Sequence, residues 1–160
     1  ISLDVKIKDG TQHIYLNGYD VSDEIRLPEI SMAASKVSAI PAVRAFLLQL
    51  QRDMAESRDV IMDGRDIGTT VFPNAELKLF MTAEPMIRAE RRASEMRAKG
   101  QDVDINDVLK NLQERDYIDS HRETSPLTQA ADAIVLDNSY MTMEDQMVWL
   151  KKIIAERFGC

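Results

Sequence analysis

Apolar and polar positions alternate at the start of the chain in Leu3, Val5 and Ile7, break at Asp9-Gly10, and resume in His13-Ile14-Tyr15-Leu16 before Asn17-Gly18. A period of two, interrupted by Asp-Gly and Asn-Gly, predicts a small antiparallel sheet of two or three strands over residues 2–26. Pro28 then opens a short helix marked by Ile30, Ala33, Ala34 and Val37, which ends before Pro41. Proline suits the first turn of a helix and breaks its interior. Pro41 therefore opens a second helix, with the stripe Val43, Phe46, Leu47, Leu50 and Met54.

The pattern changes after Arg58-Asp59. The runs Val60-Ile61-Met62, Leu77-Lys78-Leu79-Phe80-Met81 and Ala133-Ile134-Val135-Leu136 read as short buried strands, since continuous apolar runs of this length suit a sheet covered on both faces. Helices are predicted from Pro85 to about Lys99, from about Ile105 to Glu123 and from Thr142 to Phe158. Buried strands alternating with amphipathic helices indicate an α/β fold with a parallel sheet. Residues 1–58 form a lobe with a small antiparallel sheet and two helices, and residues 59–160 form the α/β core. A parallel sheet covered on both faces usually has more than three strands, and the chain starts with Ile1 rather than methionine. A further N-terminal piece is expected on both grounds.

Composition narrows the class. With 160 residues, 44% hydrophobic and 29% charged, the chain has the make-up of one soluble domain or a domain with a small lobe, which excludes a disordered, collagenous or disulfide-built protein. No apolar run is long enough for a membrane span. The single cysteine, Cys160, permits no intrachain disulfide and no all-cysteine metal site, which fits the cytoplasm. A net charge of −7 argues against nucleic acid as partner. Twelve of the 20 basic residues are arginine, however, the residue suited to planar, bidentate contact with phosphate. Local cationic pockets on an acidic protein point to a small anion.

Three segments could hold that anion. Ile105, Val108 and Leu112 continue at helical spacing into Arg115, Asp119 and Arg122, so a stripe that begins as core ends as Arg-Asp-Arg. Either it lines a cleft, or it is a solvated helix end with i,i+4 ion pairs. The segment Asp63-Gly64-Arg65-Asp66-Ile67-Gly68-Thr69-Thr70 follows a predicted buried strand, where ligands of parallel sheets gather. Arg65 suits a phosphate, Asp66 can accept from an amino group or hydroxyl, and Asp63 could orient Mg²⁺ or a water. The alternative is a turn with local bonds from Asp to backbone. Arg88, Arg91 and Arg92 share one face of the helix opened by Pro85, opposite Met86, Ala89, Ala93 and Met96. A polyphosphate would relieve their repulsion, though Glu90, Glu95 and solvent could screen them equally.

No G-x-x-x-x-G-K-[ST], G-x-S-x-G or H-E-x-x-H occurs in the chain. His13 and His121 stand alone and read as surface residues. The nine methionines and Trp149 read as packing residues, several on stripes such as Met143, Met147, Leu150 and Ile154.

The run from Asp63 to Pro73, preceded by Ala33-Ala34-Ser35-Lys36-Val37-Ser38 and followed by Glu114-Arg115-Asp116 with Asp119 and Arg122, is similar to bacterial cytidylate kinases (CMP kinases), members of the P-loop nucleoside monophosphate kinases. The resemblance spans essentially all 160 residues in order. It implies a P-loop-type parallel sheet flanked by helices, a lid near residues 85–103, and a monophosphate-binding lobe carrying a small antiparallel insert. It implies transfer of a phosphoryl group from ATP, with Mg²⁺, to CMP or dCMP by a cytoplasmic monomer serving pyrimidine nucleotide supply.

Residue by residue, Ser35, Arg44 and Asp66 resemble the positions that recognise cytosine. Arg65 and Arg122 resemble arginines that hold the monophosphate, and Arg115 with Asp119 the pair near the sugar. Arg88, Arg91 and Arg92, with Arg122, resemble the groups that neutralise the transferring phosphoryl group. In the family, the P-loop precedes the point matching Ile1, so the chain alone is expected to lack phosphoryl transfer. The other readings are a non-catalytic nucleotide-binding fragment and a monophosphate kinase of different base choice.

Overall fold

The computed structural model describes residues 2–53, 55–56 and 59–159. The expected end of the second helical stripe, Met54, the pair partner Arg58, and Cys160 lie outside the described residues. The chain opens with strands β1 (Leu3–Lys8), β2 (Thr11–Leu16) and β3 (Tyr19–Asp20) in an antiparallel sheet of that order. Leu3 faces Leu16 and Val5 faces Ile14. Both turns take the left-handed conformation at two successive residues, φ being 51° and 74° at Asp9 and Gly10, and 50° and 86° at Asn17 and Gly18. That geometry matches the twist of a two-residue hairpin and favours Asp, Asn and Gly.

Helix α1 (Pro28–Ser38) and helix α2 (Pro41–Asp53) follow, the first with its proline in the opening turn. α1 does not bury its apolar residues: Ile30, Ala33, Ala34 and Val37 are exposed, whereas Ser35 is buried. A helix that turns a hydroxyl inward needs a polar partner there, and the partner is described below.

The expected strand over 60–62 is not formed. A strand is held by its ladder, and no described residue runs beside this segment; Ile61 is fully exposed. The described part of the parallel sheet is β4 (Leu79–Thr82) beside β5 (Ile134–Asp137), with Leu79 opposite Ile134 and Thr82 opposite Asp137. The chain between them forms α3 (Pro85–Ala98) and α4 (Ile105–His121), and α5 (Met143–Phe158) closes the sequence. The result is a mixed α/β structure.

The buried apolar cluster among the described residues lies between α3 and α4. Ala89 and Ala93 are fully buried against Val108, with Met96, Val103, Ile105, Leu109 and Leu112 around them. Small side chains at a helix crossing let the two helices approach closely. Met86, expected on this face, is exposed at the start of α3. Asp104 caps α4 by accepting from the Asn106 amide, 2.6 Å, and a capping box of Thr142 and Asp145 starts α5. Met143 and Met147, expected in the core, are exposed, while Leu150 and Ile154 further along α5 are half-buried. The start of that helix projects past the side chains that could cover it.

Asp20 organises the edge of the small sheet. It accepts from the Ser22 hydroxyl (2.5 Å) and amide (3.1 Å) and pairs with His13 Nδ1 at 2.7 Å. These bonds, the Ser22 hydroxyl foremost and then His13, hold its pKa down at about 2. A carboxylate with a lowered folded pKa contributes its stabilisation above the unfolded value near 4 and loses it as pH falls through the folded value. The Ser22 amide resonance is expected to titrate with a midpoint of about 2, and to stay flat in Asp20→Asn. A midpoint near the ordinary carboxylate value would contradict the assignment.

Candidate functional site

Four elements deliver polar side chains to one buried place. From α1 comes Ser35, from α2 Arg44, from the segment between α2 and β4 Arg65 and Asp66, and from the end of α4 Arg115, Asp119 and Arg122. All seven were expected from the sequence, and the structure brings them together. Asp119 is 1% exposed and sits at the centre. Its Oδ1 accepts from the Ser35 hydroxyl at 2.7 Å, and its Oδ2 from Arg65 Nε at 2.9 Å. Arg115 Nε lies 3.7 Å from Oδ2, and Arg122 Nη1 3.9 Å from Oδ1.

Asp66 forms the second anionic centre. Arg44 Nη2 donates to its Oδ2, and Arg122 Nη2 lies 3.7 Å from its Oδ1. Its backbone is fixed by a π-helical turn over Ile67–Val71, in which the amides of Thr69, Thr70 and Val71 return to the Asp66 carbonyl. Arg52 of α2 donates to the Thr70 and Val71 carbonyls at 2.8 and 3.1 Å. Gly64 is needed for close approach: a Cβ there would meet Ile67 Cγ1 at 2.9 Å. The turn is closed by the Asp66 main-chain carbonyl, whereas its carboxylate makes no local cap and reaches across to α2.

The end of α4 is a buried site rather than a solvated helix end. The helix stops at His121, two residues before the expected Glu123, because Arg122 turns extended with ψ at 144°. That turn carries the Arg122 guanidinium inward, to the Ser125 carbonyl at 2.7 Å and the Ser38 hydroxyl at 3.2 Å. Ser38 was missed in the sequence. It also offers its carbonyl to Arg44 Nη1 at 3.3 Å and donates its hydroxyl to the Ser35 carbonyl at 2.9 Å. Its place three residues after Ser35, on the same face of α1, was the available signal.

Charge in this cluster does not balance. Among the described residues, four guanidinium groups, Arg44, Arg65, Arg115 and Arg122, meet two carboxylates, Asp66 and Asp119, two more cations than anions. Burial, and next the neighbouring Arg65, pushes the Arg115 guanidinium below its ordinary pKa; burial and then Arg44 do the same to Arg122. Among the described residues, Arg44 Nε and Arg122 Nη2 are buried without a hydrogen-bond partner. Buried donors in a cationic cluster are suited to an incoming anion. A cleft of about 390 Å³ opens beside the cluster between α1 and the α3–α4 pair, sharing Arg115 and walled by Ile30, Leu112 and Arg92.

The three arginines of α3 are not gathered into one anion site. Arg88 pairs with Asp116 of α4, Arg91 donates to Asn138 Oδ1 at 3.0 Å and to the carbonyls of Asn138 and Ser139, and Arg92 reaches Glu95 and the Arg26 carbonyl. Each finds its own counter-group, which relieves the repulsion expected among them. Asp63 is exposed. Among the described residues no group of three or more His, Cys, Asp or Glu side chains could hold a metal ion, and no helix is long and apolar enough to cross a membrane. An exposed carboxylate of this kind can hold Mg²⁺ only together with substrate phosphates and water.

The family model described as cytidylate kinase matches residues 1–156. The chain belongs to the cytidylate kinase family. A curated cytidylate kinase of Parabacteroides distasonis is 51% identical over 150 residues, covering 94% of this chain and 66% of that protein. One from Flavobacterium johnsoniae is 50% identical over 145 residues, 91% of this chain and 63% of the relative. One from Lactobacillus gasseri is 47% identical over 156 residues, 98% and 68% respectively. The chain spans about two thirds of the length of the curated relatives it matches.

Removing Asp119 leaves Arg65, Arg115 and Arg122 around a vacated charge. Asp119→Ala is expected to cost about 3 kcal/mol of folding stability, since breaking a buried pair leaves the partners uncompensated. Phosphate should recover part of that loss in denaturant melts. A loss below about 1 kcal/mol, or no response to phosphate, would show that the cluster does not depend on this carboxylate.

Proposed function

We propose that this chain supplies the acceptor site of a cytidylate kinase, in which CMP or dCMP takes a phosphoryl group from ATP to give CDP or dCDP. The observation that carries the reading is the cluster in which, among the described residues, arginines outnumber carboxylates by two and Arg44 Nε and Arg122 Nη2 are buried without a hydrogen-bond partner. A nucleoside monophosphate brings close to two negative charges near neutral pH, which matches the excess. Arg65 and Arg122 hold the phosphate oxygens, where planar guanidinium forks give both charge and direction. Arg115 and Asp119 lie toward the sugar.

Base choice follows from Asp66, Arg44 and Ser35. The Asp66 carboxylate accepts from the exocyclic amine of cytosine, and the unpartnered Arg44 Nε donates to a ring acceptor. Uracil turns a carbonyl toward the carboxylate and leaves buried groups unpaired, a fault that polar sites punish far more than a lost methyl group. Positioning and charge neutralisation are the protein's main contributions to phosphoryl transfer. ATP and Mg²⁺ enter as substrate and its counter-ion. Asp63 is the carboxylate this chain would offer to the ion. The protein acts in the cytoplasm, as a monomer, in pyrimidine nucleotide supply.

A second reading rests on the absence of a Walker A motif from the 160 residues: the chain by itself binds the monophosphate without transfer. Calorimetric titration with CMP, dCMP, UMP and AMP, alongside an assay with ATP, separates the readings. CMP is expected to bind about 100-fold more tightly than UMP. Asp66→Ala should erode that ratio more than phosphate affinity, whereas Arg122→Ala should weaken every monophosphate by about tenfold or more. Equal losses across bases in both variants would refute the division of roles. Binding without turnover favours the second reading.

A further inference from the structure

Asp116, in the Glu114-Arg115-Asp116 segment, carries none of the roles assigned to the acceptor site above. It follows Arg115 by one residue, so on α4 it points about 100° away from it, toward α3. There it takes Arg88 in a fork, Nη1 to Oδ2 at 2.5 Å and Nη2 to Oδ1 at 3.2 Å. The two side chains are 32% and 33% exposed, neither sealed in the core nor freely solvated. The pair bridges the two helices that bury Ala89, Ala93 and Val108 between them.

The pair also borders the cationic cluster. The bond to Asp116 raises the Arg88 pKa above its ordinary value and keeps the guanidinium charged. The Arg115 guanidinium, lowered by burial and by Arg65, feels Arg88 as a further repelling charge, and Asp119 and Asp116 as attracting ones. Asp116 thus lies electrically between the α3 arginine and the α4 cluster. Removing its charge would expose the cluster to a fifth guanidinium.

We propose that Asp116 is a positioning residue that fixes Arg88 at the rim of the acceptor cluster and cancels its charge, so that the site presents two excess cations rather than three. The inference rests on the acceptor reading above. It also separates from a purely structural role. If Asp116 only fastens α3 to α4, its loss loosens the fold and leaves anion affinity unchanged or lower. If it balances charge, its loss makes the site bind dianions more tightly.

The test is calorimetric titration at low salt with CMP, and in parallel with inorganic phosphate, using the wild-type chain, Asp116→Asn, Arg88→Ala, the double variant and Asp116→Glu. Asp116→Asn is expected to bind both ligands about three- to tenfold more tightly, with the gain shrinking as salt is raised toward physiological strength. Adding Arg88→Ala should abolish the gain, and Asp116→Glu should restore wild-type affinity. Equal or weaker binding by Asp116→Asn, with a native circular dichroism spectrum, overturns the inference. So does a gain that survives Arg88→Ala. Failure of the acceptor reading looks different: the wild-type chain then fails to prefer CMP, while phosphate still reports the charge effect. A wild-type chain that binds neither ligand sinks both.

Discussion

Asp119 is the constraint on which the site depends. A carboxylate 1% exposed must be compensated by hydrogen bonds and charge, and its partners come from different parts of the chain: Ser35 from α1, Arg65 from the segment after α2, and Arg115 and Arg122 from the end of α4. Each bond also fixes an element. Ser35 explains why α1 turns a hydroxyl inward and leaves Ile30 and Val37 exposed. The Leu127 amide, donating to the Asp119 carbonyl at 2.7 Å, holds the chain after α4 against the same residue. The polar centre therefore does work that an apolar core performs elsewhere in the molecule.

The cost of that arrangement is an arginine excess. Asp66 and Asp119 cannot neutralise four guanidinium groups, and burial disfavours the charged form of Arg115 and Arg122. A site left in this state is destabilised until an anion arrives, so part of the binding free energy of the anion is prepaid in the fold. Asp66 lies beside the same cluster, with Arg44 bonded to it and Arg122 near both carboxylates, so under the proposed function recognition of the base is tied to capture of the phosphate.

Much of this was legible in the sequence because it is local. Asp9-Gly10 and Asn17-Gly18 predict hairpin turns from backbone preference alone, Pro28, Pro41 and Pro85 mark three helix starts, and the step from Leu112 to Arg115, Asp119 and Arg122 forecasts a helix whose apolar face ends in charge. What escaped depends on distant partners. Residues 60–62 have the composition of a strand, yet a strand exists only beside another, and none of the described residues pairs with them. Met143 and Met147 have core spacing, yet among the described residues both stay exposed. Arg88, Arg91 and Arg92 share a face in sequence, whereas Asp116, Asn138 and Glu95 decide where each guanidinium goes. Ser38 could have been found from its spacing to Ser35; its bonds to Arg44 and Arg122 could not.

The central claim is that the cluster's positive excess is matched to a dianionic phosphate monoester. The direct measurement is a ³¹P titration of CMP bound to the chain, set against free CMP. An excess of guanidinium groups over carboxylates favours the doubly ionised form, so the second phosphate pKa, near 6 in the free monoester, is expected to fall by at least about one unit on binding. A bound phosphate that titrates with the free value, or above it, would contradict the account.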